Sequence, residues 1–198
     1  MNATDQERFN EYFQLEHEIQ VNVKQGGSWE TLPSYDSFER NIPVPFKMAS
    51  EMKGLEQTML RPLRQLGDVI EPLADYLKAQ SRKIDLMMTY ILQAEDEKDL
   101  QFVTQSYGGG GFTFTSEQPF TIDDWLVCKL FFDEEAAAVF CYGKLVESVA
   151  NTDDEHTSYV NTVIFQHIRE EDQEVVVRAS LHQQSKQLLK KTQAKSQN

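Results

Sequence analysis

The feature that most constrains the fold of this chain is an apolar seam, a set of residues spaced alternately three and four apart between residues 49 and 95. The seam positions, all apolar except Gln80, are Met59, Leu63, Leu66, Ile70, Leu73, Leu77, Gln80, Ile84, Met87 and Ile91. Such heptad spacing is typical of helices that pack against other helices. Pro62 and Pro72 remove helix hydrogen bonds, so we expect breaks near them and a continuous helix from Pro72 to about Glu95.

The seam can be covered by the chain's own domain or by copies of the chain. Met88 and Leu92 widen the apolar face beside it, and Leu55 and Val69 add to it upstream. We expect this to be more apolar surface than one small neighbouring domain can cover. We therefore expect a coiled-coil-like homo-oligomer assembled through the seam, with Gln80 either fixing the register or facing a solvent-filled gap.

The residues on either side of the helices are predicted to form strands. Leu15 to Gly27 partly alternates apolar with polar residues, and Arg40 to Met48 carries two prolines that are typical of an extended edge segment. After Glu95 come four β-branched and aromatic runs, GFTFTSEQPF, WLVCKLFFD, AAAVFCYGKLVESV and SYVNTVIFQHI. A last helix is predicted from Glu170, with acids in its first turn and lysines in its last.

These patterns predict an α+β fold, a small antiparallel barrel or sandwich with a long helical insertion and a C-terminal helix. We divide the chain into three segments. Residues 1–47 form an N-terminal extension with the first strand or strands, residues 48–98 form the helical oligomerisation insertion, and residues 99–198 form the remaining strands and the closing helix.

The charge of the chain excludes some partners. With 19 basic and 32 acidic residues the formal net charge is -13, which repels polyphosphate backbones, so we expect no DNA binding. The apolar runs are shorter than the roughly 20 residues of a membrane-spanning helix, and we expect no membrane insertion. The N-terminus lacks the basic start and apolar stretch of a secretory signal, so we expect a cytoplasmic protein with Cys128 and Cys141 reduced and buried.

The residues that could support catalysis are scattered. The acidic clusters at residues 123–124, 133–135, 153–155 and 170–172 lie between predicted elements, where charges are typical of solvated turns and helix caps. The histidines, His17, His156, His167 and His182, have no nucleophile motif or metal-ligand spacing around them. We therefore predict no enzyme, no catalytic residue, no metal site and no cofactor.

Four consecutive glycines, Gly108 to Gly111, stand in the stretch TQSYGGGGFTF, residues 104–114. The run lacks the Lys-Ser/Thr of a P-loop, and a predicted strand follows it, so no helix N-terminus faces a phosphate. From the residues alone the run is most simply a turn or bulge entering a strand.

The strand series and closing helix resemble the PilZ domain, a bacterial receptor module for the second messenger cyclic di-GMP. The family's ligand loop reads Asp/Asn-x-Ser-x-x-Gly, and TQSYGG matches it at Ser106 and Gly109. Gly108 fits the family's common double glycine, while Thr104 stands at the place of the acid or amide. The resemblance thus implies Ser106, Gly108 and Gly109 as ligand residues, with cyclic di-GMP as the possible ligand.

Later segments extend the resemblance. YGKLV (Tyr142 to Val146) and VIFQHIREEDQEVVVRASLHQQ (Val163 to Gln184) are similar to the family's later strands and closing helix. The family's other ligand element is Arg-x-x-x-Arg, whose guanidiniums bind phosphate and stack on guanine. In DSFERNIP the second arginine corresponds to Arg40, and Asp36 stands in the place of the first.

The helical insertion resembles an atypical branch of the family, in which heptad-bearing helices join PilZ domains into a tetramer and the ligand motifs are degraded. QSRKIDLMMTYIL (Gln80 to Leu92) is similar to the core of that insertion. The resemblance implies a tetrameric signalling protein with weak or absent cyclic di-GMP binding and with protein partners in motility or polysaccharide control. The alternative is a genuine cyclic di-GMP receptor acting through a non-standard site.

Overall fold

The computed structural model describes residues 3–63, 71–152 and 157–195. Its helices are α1 (Ala3–Asn10), α2 (Tyr35–Asn41), α3 (Val44–Leu63), α4 (Glu71–Gln93) and α5 (Glu170–Lys195). Its strands are β1 (Leu15–Glu16), β2 (Gln20–Ser28), β3 (Gln101–Gly108), β4 (Gly111–Ser116), β5 (Asp124–Phe132), β6 (Ala137–Thr152) and β7 (Thr157–His167). The predicted α+β class is confirmed.

Several residues of the sequence analysis lie outside the described residues. They are Leu66, Val69 and Ile70 of the helical stretch, and the acidic residues 153–155 with His156. The side chains of Leu55, Met59 and Leu63 also lie outside the described part, although their backbone belongs to α3.

The strands form one antiparallel sheet with the order β1-β3-β2-β5-β6-β7-β4, and β3 also pairs with β4. Because β3 pairs with both β2 and β4, the chain of pairings from β2 through β5, β6, β7, β4 and β3 returns to β2. The four strand runs predicted after Glu95 correspond to β4, β5, β6 and β7.

Two apolar cores lie on opposite sides of β5 and β6. The first core fills the inside of the sheet and contains Leu126, Leu130, Val139 and Leu145. The second core lies where the helices cover the outside of the sheet. Its buried members are Phe38, Ile42, Phe46, Ala49, Met88, Leu92, Phe131, Ala138, Phe140 and Tyr142. The central strands are thus covered on both faces, which explains their nearly continuous apolar character.

The segment with two prolines is helical where an extended edge segment was predicted, so that prediction is wrong. Helix α3 begins at Val44, and the backbone N–H groups of Phe46 and Lys47 donate to the carbonyl of Pro43 at 3.0 and 3.3 Å. A proline in the first turn is compatible with a helix, because its missing N–H would have no partner there. Burial of Phe46 and Ala49 against the sheet supplies the stabilisation.

The two helices whose bounds were predicted from the sequence are confirmed. Helix α4, Glu71–Gln93, matches the expected helix from Pro72 to about Glu95, and α5 begins at Glu170 as predicted. No described helix is long and apolar enough to cross a membrane.

Candidate functional site

Helix α4 presents two apolar faces, and the chain itself covers one of them. Met88 and Leu92 are buried in the second core against β6. Met87 is 64% exposed whereas the adjacent Met88 is 4% exposed. Since neighbouring residues of a helix point about 100° apart, these two methionines mark the division between the covered and the uncovered face.

The uncovered face carries most of the described seam. Its exposed large apolar side chains are Leu73, Tyr76, Ile84, Leu86, Met87, Tyr90 and Ile91. Leu77 and Gln80 on the same stripe are partly buried. On the side towards α3, a salt bridge of 2.7 Å joins Lys53 to Asp85 and holds the two helices together. The exposed stripe is therefore an apolar surface that lies beyond the helix pair's own contact.

The glycine corner, Gly108 to Gly111, is covered by the chain's own N-terminal segment, residues 8–14. A Cβ at Gly110 would lie 2.6 Å from the carbonyl oxygen of Arg8, and a Cβ at Gly108 would collide with the carbonyl oxygen of Phe13. Real Cβ atoms do not approach other heavy atoms so closely. Gly108 and Gly110 are thus required because another piece of backbone lies against them.

The C-terminal helix covers the remaining side of the corner. At Gly109 a Cβ would lie 2.5 Å from Tyr12 Cδ1 and 2.7 Å from Val177 Cγ2. The side-chain amide of Gln173 donates to the Gly109 carbonyl at 2.8 Å. The corner is therefore the point where the N-terminal segment, the β3–β4 turn and α5 meet.

Thr104, at the acid or amide position of the family's ligand loop, is committed to the chain's own backbone. It is buried, its hydroxyl donates to the carbonyl of His17 at 3.0 Å, and its Oγ1 accepts from the N–H of Ile19 at 3.0 Å. Strand β1 ends at Glu16 and β2 begins at Gln20, so residues 17–19 form a gap between the two strands. The hydroxyl of Thr104 provides hydrogen-bond partners for backbone groups in this gap.

Ser106 lies on β3 beside a shallow cavity of about 480 Å³. Its hydroxyl forms a hydrogen bond of 2.9 Å with Thr113 on β4. The residues lining the cavity are Glu16, His17, Glu18, Gln105, Ser106 and Thr113. Two carboxylates line it, and no arginine or lysine of the described part of the chain does, so an anion would meet unfavourable charge there.

Arg40 lies on α2, whereas Ser106 and Gly108 lie on β3 and Gly109 lies in the turn that follows it. Helix α2 packs through Phe38 on Phe140 and Tyr142 of β6. The Arg40 Nε donates to the backbone carbonyl of Asp36 at 3.2 Å. The structure thus brings together three of the four predicted ligand residues and holds the fourth on a different element.

A buried polar network connects the helical insertion to α5, and sequence reasoning missed it. Asp172 is fully buried, accepts from Arg169 Nε at 2.8 Å and accepts from the Ser50 hydroxyl at 2.8 Å. Arg169 also donates to Ser50 at 2.9 Å. Burial raises the pKa of Asp172, while the bonds from Arg169 and Ser50 favour its ionised form. In the sequence analysis Asp172 was only one of three adjacent acids assigned to a helix cap or solvated turn.

A second polar cluster ties the turn after β5 to α5. Glu134, Glu135 and His182 each have an oxygen or nitrogen atom that could bind a metal ion, and these atoms lie within 4.8 Å of one another. Lys186 and Gln183 already contact Glu134, and His182 Nδ1 lies 3.1 Å from Glu135. The hydrogen bond from Lys186 lowers the pKa of Glu134. Because both acids are already bonded to side chains of α5, the cluster is explained as a contact that attaches α5 to the turn after β5.

The two cysteines are directly opposite each other on neighbouring strands. Cys128 of β5 pairs in register with Cys141 of β6, and both are free thiols buried in the first core. Burial raises the pKa of the Cys141 thiol. The predicted role as small buried apolar residues fits this environment.

The fold is similar to solved structures of low sequence identity. One is a protein from Xanthomonas campestris described as a new tetrameric PilZ domain self-assembled via an unusual helical bundle. It is 13% identical, the match covers 96% of this chain and 99% of that one, and the TM-score is 0.50. The chain therefore has a PilZ-like fold, as the sequence resemblance implied.

A shorter match is to MrkH from K. pneumonia. It is 17% identical, with a TM-score of 0.42. The match covers 46% of this chain and 41% of MrkH, so the chain spans less than half of that protein. No protein-family model and no curated protein matches the chain.

Proposed function

We propose that this chain is a non-catalytic PilZ-type signalling protein of the cyclic di-GMP network. It assembles as a homo-oligomer through α4, and its own ligand loop binds cyclic di-GMP weakly or not at all. The PilZ-like fold supports the family-level part of this proposal. The Xanthomonas campestris neighbour is described as a tetramer held by a helical bundle, and we extend tetrameric assembly to this chain.

The observation that carries the proposal is the division of α4 at Met87 and Met88. The second core uses Met88 and Leu92, while Ile84, Met87 and Ile91 stay exposed in the single chain. An exposed stripe of several large apolar side chains is unfavourable in water. A copy of the same helix supplies matching apolar spacing, and the stripe becomes buried in a bundle between chains.

The ligand part of the proposal rests on what surrounds the family's loop. Thr104 bonds the backbone around residues 17–19, and the corner glycines lie against residues 8–14 and α5. Beside Ser106 lie Glu16 and Glu18. A phosphate there lacks the paired arginines that bind it in the family and meets carboxylates instead. Charged hydrogen bonds contribute about 1.5–3 kcal/mol each, so losing them weakens binding strongly.

The proposed role is then that of an interaction scaffold. The bundle would hold several PilZ-like sheets and present their outer surfaces to proteins of motility or surface-polysaccharide control. Scattered histidines and acids that are bonded within the chain support a non-catalytic role.

Light scattering on the purified chain tests the assembly. We expect an oligomer at micromolar concentration, with a tetramer as the proposed number. A monomer at that concentration overturns the assembly part of the proposal.

Isothermal titration at low salt tests the ligand part against the alternative, a receptor with a non-standard site. The retained order of Ser106, Gly108 and Gly109 favours that alternative. We expect no heat at cyclic di-GMP concentrations far above micromolar. Saturating heat with the wild-type chain would establish the alternative. If Arg40→Ala abolishes that heat and the matched control Arg82→Ala leaves it intact, Arg40 belongs to the site.

A further inference from the structure

Two adjoining cavities form a groove along β3. The larger has a volume of about 720 Å³ and is lined by Glu18, residues 101–105 of β3, residues 115 and 116 at the end of β4, residues 117, 118 and 120 after it, and Ser158. The smaller, of about 480 Å³, lies beside Ser106. Both share Glu18 and Gln105, so they are neighbours along the strand. Each volume is in the range of ligand pockets, about 300–1,000 Å³.

The groove has the dimensions of an extended peptide. From Gln101 to Ser106 the strand rises by about 3.3 Å per residue, which gives a length of roughly 17 Å. An extended chain of about six residues has the same length. A globular small molecule would fill one cavity, whereas an extended chain fills both.

The charged residues of the groove are all of one sign. Glu16, Glu18 and Glu117 line it, and among the residues that the structure describes no lysine or arginine lines it. Glu16, Glu18 and Glu117 are exposed. A chain with lysine or arginine side chains would have complementary charge, and the overall charge of -13 would assist its approach.

The groove also offers apolar contact and hydrogen-bonding groups. Val103 is exposed in the groove, and Phe102 and Phe120 line it while packing on each other with ring centres 5.8 Å apart. Gln101, Gln105 and Gln118 supply side-chain amides. Exposed carboxylates next to an exposed apolar side chain suit a peptide in which basic and apolar side chains alternate.

We propose that the groove along β3 binds an extended basic segment of a partner protein, with lysine or arginine near Glu18 and Glu117 and an apolar side chain against Val103. This inference deepens the scaffold role proposed above by naming the chemistry of the partner. It does not depend on cyclic di-GMP, since the groove repels phosphate.

Fluorescence anisotropy with defined peptides tests the proposal on the full chain. The probe is a labelled short peptide of alternating lysine and phenylalanine, with alternating glutamate and phenylalanine as its control. We expect the basic probe alone to bind at low salt. The pair Glu18→Gln and Glu117→Gln should weaken binding roughly fivefold, because each partly exposed ion pair contributes about 0.5 kcal/mol.

A charge-matched control separates the groove from the general acidity of the chain. Glu30 and Glu51 are exposed and line neither cavity. The pair Glu30→Gln and Glu51→Gln makes the same change in net charge and should alter the affinity less than about twofold. Equal weakening by both pairs means non-specific attraction and overturns the proposal.

A second readout tests the apolar contact and the location. Val103→Ser should weaken the basic probe, whereas a lysine–glycine peptide should bind wild type and Val103→Ser alike. Amide chemical shifts should move at residues 101–106 and 115–118, and shifts scattered over the surface overturn the proposal. Light scattering on the same samples distinguishes failure of the groove proposal from failure of the proposed assembly. An intact oligomer that does not bind the probe contradicts only the groove proposal.

Discussion

The glycine corner and helix α4 both have sequences that require close packing, but the chain satisfies them differently. At the corner, residues 8–14 and α5 fill the space that the missing side chains leave. On α4, the chain covers Met88 and Leu92 and leaves Met87 and Ile84 exposed. A pattern of residues therefore predicts that something packs there, whereas only the structure identifies the part of the chain that does so.

The strongest test of this comparison uses the neighbours Met87 and Met88. Met88→Asp places a charge in the second core, and we expect a loss of about 4 kcal/mol or more in the free energy of unfolding. Met87→Asp, combined with Ile84→Asp, should leave the fold intact and dissociate the oligomer. Circular dichroism measures the first effect and light scattering the second.

The pair of variants is its own control, since the two substitutions have the same chemistry on adjacent residues of one helix. An intact oligomer in the Met87 and Ile84 variant would mean that another surface holds the assembly. A folded Met88→Asp protein of nearly normal stability would contradict the assignment of Met88 to the core. The dissociated variant also supplies a single-chain background for the measurements below.

The next largest effect is expected at the corner. Gly109→Ala introduces a Cβ at 2.5 Å from Tyr12 Cδ1 and 2.7 Å from Val177 Cγ2, and we expect a loss of about 1–3 kcal/mol in the free energy of unfolding. Urea unfolding in the single-chain background measures it. Val177→Ala should recover part of the loss, because it removes one of the colliding atoms.

The recovery is the informative part of that experiment. A double-mutant cycle isolates the coupling between Gly109 and Val177. Additive losses would mean that α5 does not press on the corner. The matched control Gln105→Ala, on an exposed residue of the same sheet, should change stability by less than about 0.5 kcal/mol.

Local patterns of residues predicted most of the strands and helices. Runs of β-branched and aromatic residues predicted β4 to β7, and the acids of residues 170–172 located the start of α5. The start of α3 was missed because two prolines read as an extended segment, although a proline in a first helical turn breaks no hydrogen bond. Short α2 was missed because seven residues carry too little periodicity, and its helix depends on burial of Phe38.

The candidate site was less predictable because it depends on contacts between distant segments. The loop match at Ser106, Gly108 and Gly109 names residues at the end of β3 and in the turn after it, and their role in ligand binding stays a prediction. It gave no indication that residues 8–14 lie on the glycines or that Glu16 and Glu18 lie beside Ser106. Arg40 was assigned from the resemblance to the family's Arg-x-x-x-Arg motif, and its role in ligand binding stays a prediction.

A smaller effect is expected at Thr104, and it tests whether this position serves the backbone. Thr104→Val keeps the shape and removes the hydroxyl, which leaves the N–H of Ile19 and the carbonyl of His17 without their partner. We expect a loss of about 1–2 kcal/mol in urea unfolding. Thr115→Val removes a hydroxyl that accepts an exposed bond from Gln105, and it should change stability by less than about 0.5 kcal/mol. Equal effects at the two threonines would contradict the special role of Thr104.

The smallest effect concerns the attachment of α5, and it depends on pH. The hydrogen bond from Lys186 lowers the pKa of Glu134 in the folded chain, so the native state binds fewer protons than the unfolded state as the pH falls. Its stabilisation is present above the ordinary glutamate pKa and is lost as the pH falls through the lowered value. We expect Glu134→Gln to be less stable than wild type at neutral pH, by at most about 1 kcal/mol for an exposed pair, and equal to it in acid. Urea unfolding of the single-chain background across this pH range measures the difference. A constant difference at all pH values would mean that the carboxylate charge of Glu134 does not hold α5, and that packing alone covers the corner from that side.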